Sequence, residues 1–243
     1  METKDSEYVY KNVIQLTEQD ASRKFIANVF LWMFVALGLS AVCAFTFSHN
    51  QALYEMLRDP ETGRNTGLGT IVMFAPLAFV LIISFGFQRL SYAAAAILFI
   101  AFSAVMGISL SYILVFYTAS SVLGVFLTAS AVFGVMAVAG YTTNTDLTKF
   151  GSIMMMGLIG IILASVINMF MHSTQMEYII SYIGIAVFVG LTAYDVQKLK
   201  RIGAGLEYGD ASAGKMALLG GLTLYLDFIN LFLMILRLFG RRR

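Results

Sequence analysis

The chain is 243 residues long, 59% hydrophobic and only 12% charged, against about 25% charged in a soluble globular protein. A formal net charge of +2, with lysines and arginines set beside apolar blocks instead of along one face, excludes the basic stripe of a nucleic-acid binder. Cys43 is the single cysteine, and His49 and His172 both fall at block ends, so neither a disulfide framework nor a Cys/His zinc set is available.

Residues 1–24 are polar and mixed in charge, without an apolar core of their own. They read as a cytoplasmic N-terminal segment ahead of a retained anchor, not as a cleaved signal peptide. Residues 25–54, 65–88, 90–145 and 150–176 then contain no Asp, Glu, Lys or Arg. Blocks of this length read as transmembrane helices, since about 20 helical residues cross a hydrocarbon core of about 30 Å. The 56-residue run must hold two spans, with a natural cut at 117–121, Tyr-Thr-Ala-Ser-Ser. The predicted spans are 25–47, 68–88, 91–116, 120–141, 150–171, 178–199 and 216–238. The fold class is therefore all-α, a polytopic seven-helix membrane bundle over residues 25–240, followed by a basic tail at 241–243. Helices are required because each backbone polar group in lipid must find its partner within the segment, and no ten-residue alternating segments suggest a β-barrel.

Small residues four apart let helix backbones approach closely. Ser103, Gly107 and Ser111 form such a stripe in the third span, and Ser130 with Gly134 and Gly160 with Ala164 repeat the spacing; all three read as packing faces. Counting Lys and Arg orients the bundle. Lys4, Lys11, Arg23, Lys24, Arg89, Lys149, Lys198, Lys200, Arg201 and Lys215 fall on one side, against Arg58, Arg64, Arg237 and Arg241 to Arg243 on the other. The N-terminus is expected in the cytoplasm. The three C-terminal arginines oppose this count, and either a full seventh crossing or a re-entrant last block accommodates them; seven full spans are expected. Glu55, Asp59 and Glu61, in the first outer loop, read as solvated charges balancing Arg58 and Arg64.

Of fourteen acidic residues, twelve lie in tails or loops, whereas Asp195 and Asp227 lie in or at the edge of apolar blocks. A charge inside a membrane helix costs about 2.5–3.5 kcal/mol or more, so it faces a partner or a water-filled cavity. Asp227, in Leu-Tyr-Leu-Asp-Phe-Ile-Asn-Leu-Phe, has Asn230 one turn on as a local partner; Asp195, in Leu-Thr-Ala-Tyr-Asp-Val-Gln-Lys, has Lys198. Tyr194, Tyr225 and Asn230 are the candidate supporting residues. The two segments share a cadence and lie on consecutive helices, which are usually neighbours. Arg89 ends the second span on the same side, where it serves either as a positive-inside anchor or as a partner for the acids.

The segments Gly-Tyr-Thr-Thr-Asn-Thr-Asp-Leu-Thr at 140–148, Val-Gly-Leu-Thr-Ala-Tyr-Asp-Val-Gln-Lys-Leu at 189–199 and Leu-Thr-Leu-Tyr-Leu-Asp-Phe-Ile-Asn-Leu-Phe at 222–232 resemble the Bax inhibitor-1 family, also called transmembrane BAX-inhibitor-motif proteins. The similarity runs from about residue 20 to the end, and the short polar N-terminus resembles bacterial members. The resemblance implies a seven-helix bundle with a pH-sensitive calcium leak. Acids on the sixth and seventh helices, by motif Asp195 and Asp227, then share a proton and meet calcium transiently. An arginine latch from the second helix is implied as well, with Arg89 its candidate by position.

Elementary electrostatics gives the pair its own logic. Two carboxylates at close range in a poorly solvated site resist ionising together, so one proton is shared. Its loss creates repulsion between the sixth and seventh helices, which an arginine or a calcium ion would neutralise. Three functions compete: a passive pH-gated calcium or cation leak, an interaction protein regulating a membrane protease or a stress response, and a cation/proton exchanger. The expected partners are the bilayer, calcium ions and protons, with calcium as cargo or regulator and no resident cofactor. An enzyme is not expected, because a rhomboid-like protease needs a membrane Ser–His set and a retinal protein needs a Schiff-base lysine in the seventh span. The expected location is a plasma membrane, the inner membrane in a bacterium.

Overall fold

A computed structural model describes the backbone of residues 2–86, 89–205 and 211–243; the side chains of 2–19, 84 and 211 lie outside the description. Among the described residues eight helices follow one another: α1 (Glu2–His49), α2 (Gln51–Leu57), α3 (Gly67–Gly86), α4 (Tyr92–Phe116), α5 (Ala119–Thr142), α6 (Thr148–Met171), α7 (Thr174–Ala204) and α8 (Ala211–Phe239). Six of them are long and apolar enough to cross a membrane: α1 from Asp20, α4, α5, α6, α7 and α8 from Ser212. The 20 residues of α3 reach about 30 Å at 1.5 Å per residue, enough for a seventh crossing. The sixth and seventh predicted spans are α7 and α8.

The interior is built on α7 and α8. Both are buried over most of their length, while α6 shows nearly all of its surface and packs on α7. Helix α8 carries Leu218, Leu224, Tyr225, Leu231 and Leu236 into the core, where α1 (Val29, Met33), α4 (Phe99, Phe102) and α5 (Ala129, Phe133) meet it. The outward surface is as apolar as the inside: Phe34, Phe85, Ile97, Val135, Met156, Leu163, Phe170 and Tyr182 are each more than half exposed. Such a continuous apolar exterior is stable only in lipid.

Close helix contacts fall where small residues allow them, though not at every predicted stripe. Ser103, Gly107 and Ser111 are buried, and a Cβ on Gly107 would strike the Ser40 carbonyl of α1. By contrast, Gly134 and Gly160 have nothing within 4 Å of a Cβ position, so their spacings lie on open surface. The packing face of α5 is Val125, Ala129, Phe133, Ala137 and Gly140, and α6 uses Gly151 and Gly157 against Tyr194 and Val187 of α7.

The last helix crosses fully. Beyond Phe239 the tail lies beside the α4–α5 connection: Tyr117 pairs with Arg242 as an antiparallel bridge, Thr118 N donates to the Arg241 carbonyl at 3.0 Å, and Arg243 N donates to the Phe116 carbonyl at 2.9 Å. Arg242 also lies 3.8 Å from Glu177 in the first turn of α7. This end is opposite the one that bears Arg89, Lys149 and Lys200, so the three arginines emerge on the far side of the bundle and a re-entrant last block is ruled out.

Candidate functional site

Helices α7 and α8 run side by side, which brings the two membrane acids together. Asp195 is 7% and Asp227 6% exposed, and their carboxyls lie close enough to act on each other electrostatically. An ionised carboxylate only accepts hydrogen bonds, so a hydrogen bond between the two groups would require one proton. Oδ2 of Asp227 is buried and has no hydrogen-bond partner. Buried polar atoms are nearly always satisfied, and one that is not marks spare capacity for a proton, a water or a cation. Among the described residues no cluster of three or more His, Cys, Asp or Glu exists, so the protein itself offers a cation two carboxyls and no closed cage.

The remaining candidates surround this pair unequally. Asn230 does not turn to Asp227; its Nδ2 donates to the Leu226 carbonyl of its own helix at 2.8 Å. Tyr194 points the other way from its neighbour Asp195, its ring lying over Gly151 of α6. Tyr225 is fully buried, with its hydroxyl 2.7 Å from Ser40 Oγ of α1. Ser40 Oγ donates its own proton to the Ser103 carbonyl of α4 at 2.7 Å, so the phenol is the donor to Ser40. A single polar chain thus ties α8 to α1 and α4 at mid-bundle. Arg89 stands exposed in the turn after α3, and among the described residues no hydrogen bond or ion pair joins it to either aspartate.

A second constellation, built from cations that also serve as topology signals, lies just beyond Asp195. Gln197, 5% exposed, clamps the α5–α6 loop: its Nε2 donates to the Thr145 carbonyl at 2.7 Å and its Oε1 accepts from Leu147 N at 2.9 Å. Lys200 Nζ donates to the Tyr141 carbonyl at 2.8 Å and lies 4.9 Å from the Tyr141 ring centre. Arg201 holds Asp146 at 2.9 Å and Thr148 Oγ1 at 3.2 Å. The Thr148 amide and hydroxyl also donate to Asp146 Oδ1, at 3.0 and 2.6 Å. These contacts, the Thr148 hydroxyl first and Arg201 after it, hold the Asp146 carboxyl down at about 2. Gly140 completes the join, since a Cβ there would strike the Ala193 carbonyl. The signal was present in the polar segment 140–148 and in the amide of Gln197, which no topology rule requires.

Seven apolar helices, two of which each bury one carboxyl, define a polytopic helical membrane protein with an acidic pair inside the bundle. The chain belongs to the Bax inhibitor family: the family model described as inhibitor of apoptosis-promoting Bax1 matches residues 22–243. It is similar to the inner membrane protein YbhL of Escherichia coli strain K12, 45% identical over 220 residues that make up 90% of this chain and 92% of YbhL. An uncharacterized protein of Rickettsia prowazekii is 40% identical over 227 residues, 93% of each chain. Another from Borreliella burgdorferi is 39% identical over 235 residues, 95% of this chain and 99% of that one. With its apolar helices, the likeness to YbhL makes this chain an integral multi-pass inner-membrane protein.

Proposed function

We propose that the protein is a pH-sensitive calcium or cation leak in which Asp195 and Asp227 act as one proton-sharing unit. The observation that carries this reading is the contact between two buried carboxyls on α7 and α8 with one oxygen left unpartnered. With the shared proton in place the contact binds the two helices together. With the proton gone, two like charges face each other across a helix interface, and either the helices separate or a cation enters. Proton and calcium therefore compete for the same oxygens.

The test is calcium flux into proteoliposomes across pH 5 to 8 for the parent protein, Asp195→Asn and Asp227→Asn. An asparagine keeps the shape and removes the ionisation, so each variant is expected to carry a flat pH profile where the parent's is steep. Parent-like profiles in both variants would refute the sensor. Flux that is absent in every protein while capture of a membrane protease persists would move the reading to an interaction protein, and calcium driven uphill by an imposed proton gradient would move it to an exchanger.

A further inference from the structure

At the lysine- and arginine-rich end, a cavity of about 290 Å³ opens between the first turn of α6 and the last three turns of α7, lined by Thr148, Tyr194, Gln197, Lys198, Arg201 and Ile202. The supply of donors in it exceeds the supply of acceptors. Lys198 Nζ, which feels the charge of Asp195 one turn back, and the Tyr194 hydroxyl make no hydrogen bond among the described residues. Arg201 uses one N–H on Asp146 and one on Thr148, which leaves three of its five. No carboxylate is among the lining residues; Asp146, bonded to Thr148 and Arg201, is already occupied by them. The acceptor that this wall lacks is an anion with several oxygens.

Position narrows the class further. The cavity lies at the level where α6 enters its apolar stretch, and below it α6 shows Ile153, Met156, Ile159 and Leu163, each more than half exposed. An anion bound here therefore has an apolar track running away from it into the membrane. Tyrosine, lysine and arginine at a helix end are the interfacial combination that meets lipid headgroups, and cations between helix ends on the cytoplasmic side suit acidic ones. A phosphate ester matches both the charge and the forked donors of Arg201.

We propose that this cavity binds the phosphate headgroup of an anionic phospholipid, held by Lys198, Arg201 and the Tyr194 hydroxyl, with its acyl chains along α6. The inference does not rest on the leak: it concerns lipid binding at a site apart from the carboxyl contact.

The test uses the full chain in nanodiscs of phosphatidylethanolamine with or without phosphatidylglycerol, with retained lipid counted by native mass spectrometry after transfer to detergent. The parent is expected to retain one phosphatidylglycerol in at least tenfold preference to phosphatidylethanolamine. Lys198→Gln, which leaves the Arg201–Asp146 contact untouched, is expected to lose that preference about tenfold, and Lys198→Gln with Tyr194→Phe to abolish it. Arg64→Gln, at the other end of the bundle, is the control and retains the lipid. Inorganic phosphate at 10 mM is the second arm. If it displaces the lipid from the parent but not from Lys198→Gln, the cavity is a phosphate site as proposed. If it stabilises the detergent-solubilised protein through Lys198 while phosphatidylglycerol shows no preference, the ligand is a soluble anion and the lipid assignment is overturned. Equal retention in the parent and both cavity variants overturns the site altogether.

Discussion

Gln197→Ala is the most direct probe of the clamp that fastens the α5–α6 loop to α7. The substitution removes two hydrogen bonds, the 2.7 Å bond to the Thr145 carbonyl and the 2.9 Å bond from Leu147 N. Each is worth about 0.5–1.5 kcal/mol net, so the loop is expected to lose about 1–3 kcal/mol of protection. With a tenfold change for each 1.4 kcal/mol, that is a roughly 5- to 140-fold rise in the opening constant. Hydrogen–deuterium exchange of a peptide covering 143–149, measured in nanodiscs, reads it directly, because amide protection follows the free energy of local opening. Gln197→Glu separates the two bonds: its carboxylate still accepts from Leu147 N but cannot donate to Thr145, so its exchange is expected to fall between parent and alanine variant. The neighbouring Lys200 and Arg201 contacts remain, and the rest of the bundle should exchange as in the parent. An unchanged rate for Leu147 in Gln197→Ala would refute the clamp.

Other parts of the bundle make equally definite predictions. Ser40→Ala is expected to destabilise more than Tyr225→Phe in an unfolding titration, because it strands a buried phenol at about 1–3 kcal/mol whereas the phenylalanine variant removes one hydrogen bond of about 0.5–1.5 kcal/mol and leaves Ser40 bonded to Ser103; the reverse order would show that Ser40 is the donor of the pair. Gly107→Ala drives a Cβ into the Ser40 carbonyl, a backbone that cannot swing aside, and is expected to cost about 1–3 kcal/mol as overpacking, while Gly134→Ala, with open space around it, leaves the same titration unchanged. The Asp146 carboxyl is depressed to about 2 from 3.8, so its contribution to the loop is complete above about pH 4 and fades only as pH falls toward 2; exchange of 143–149 should be flat from pH 5 to 8 after correction for the intrinsic rate, and a step in that window would mean another group controls the loop. Arg242→Ala breaks a long, exposed ion pair of 3.8 Å, worth about 0–1 kcal/mol, and should leave the unfolding midpoint where it is.

The spans were legible because lipid imposes a length and a polarity that few other constraints resemble. The cut at 117–121 held: α4 stops at Phe116, Tyr117 and Thr118 are extended, and α5 starts at Ala119. The burial of Asp195 and Asp227 on two adjoining helices was legible for the same reason, since an acid in an apolar block needs shelter and consecutive helices pack together. Which face of each helix turns inward was not. Hydrocarbon is as apolar as a protein core, so Gly134 and Gly160 on the lipid side have the same spacing as Gly107 inside. The short α2 was missed because its cap, Asn50 accepting from Leu53 N at 3.3 Å, sits in a stretch that looks like the end of the first span. Lys200 and Arg201 were counted as anchors because a cation at a span end serves that role by default; only the loop backbone beneath them gives them another.

These details bear on what a change of charge at the acidic pair would do. The side-chain ties of α7 run mainly toward α5 and α6: Gln197, Lys200 and Arg201 fasten it to the end of α5 and the α5–α6 loop, and Gly140 and Gly151 seat α5 and α6 on Ala193 and Tyr194; one cross-tie runs to α1, where Ser22 Oγ donates to the Lys200 carbonyl at 3.2 Å. In α8, Tyr225 is tied to Ser40 on α1 and through it to Ser103 on α4. Between the two helices the buried acids are Asp195 and Asp227, flanked by apolar packing such as Met234 against Gly184. Apolar contacts slide more readily than hydrogen bonds break, because they have no directional minimum. Repulsion between Asp195 and Asp227 would therefore act first along the α7–α8 seam, while the Ser22–Lys200 bond holds α1 to the end of α7 and the Arg241–Ser121 bond holds the tail of α8 to α5.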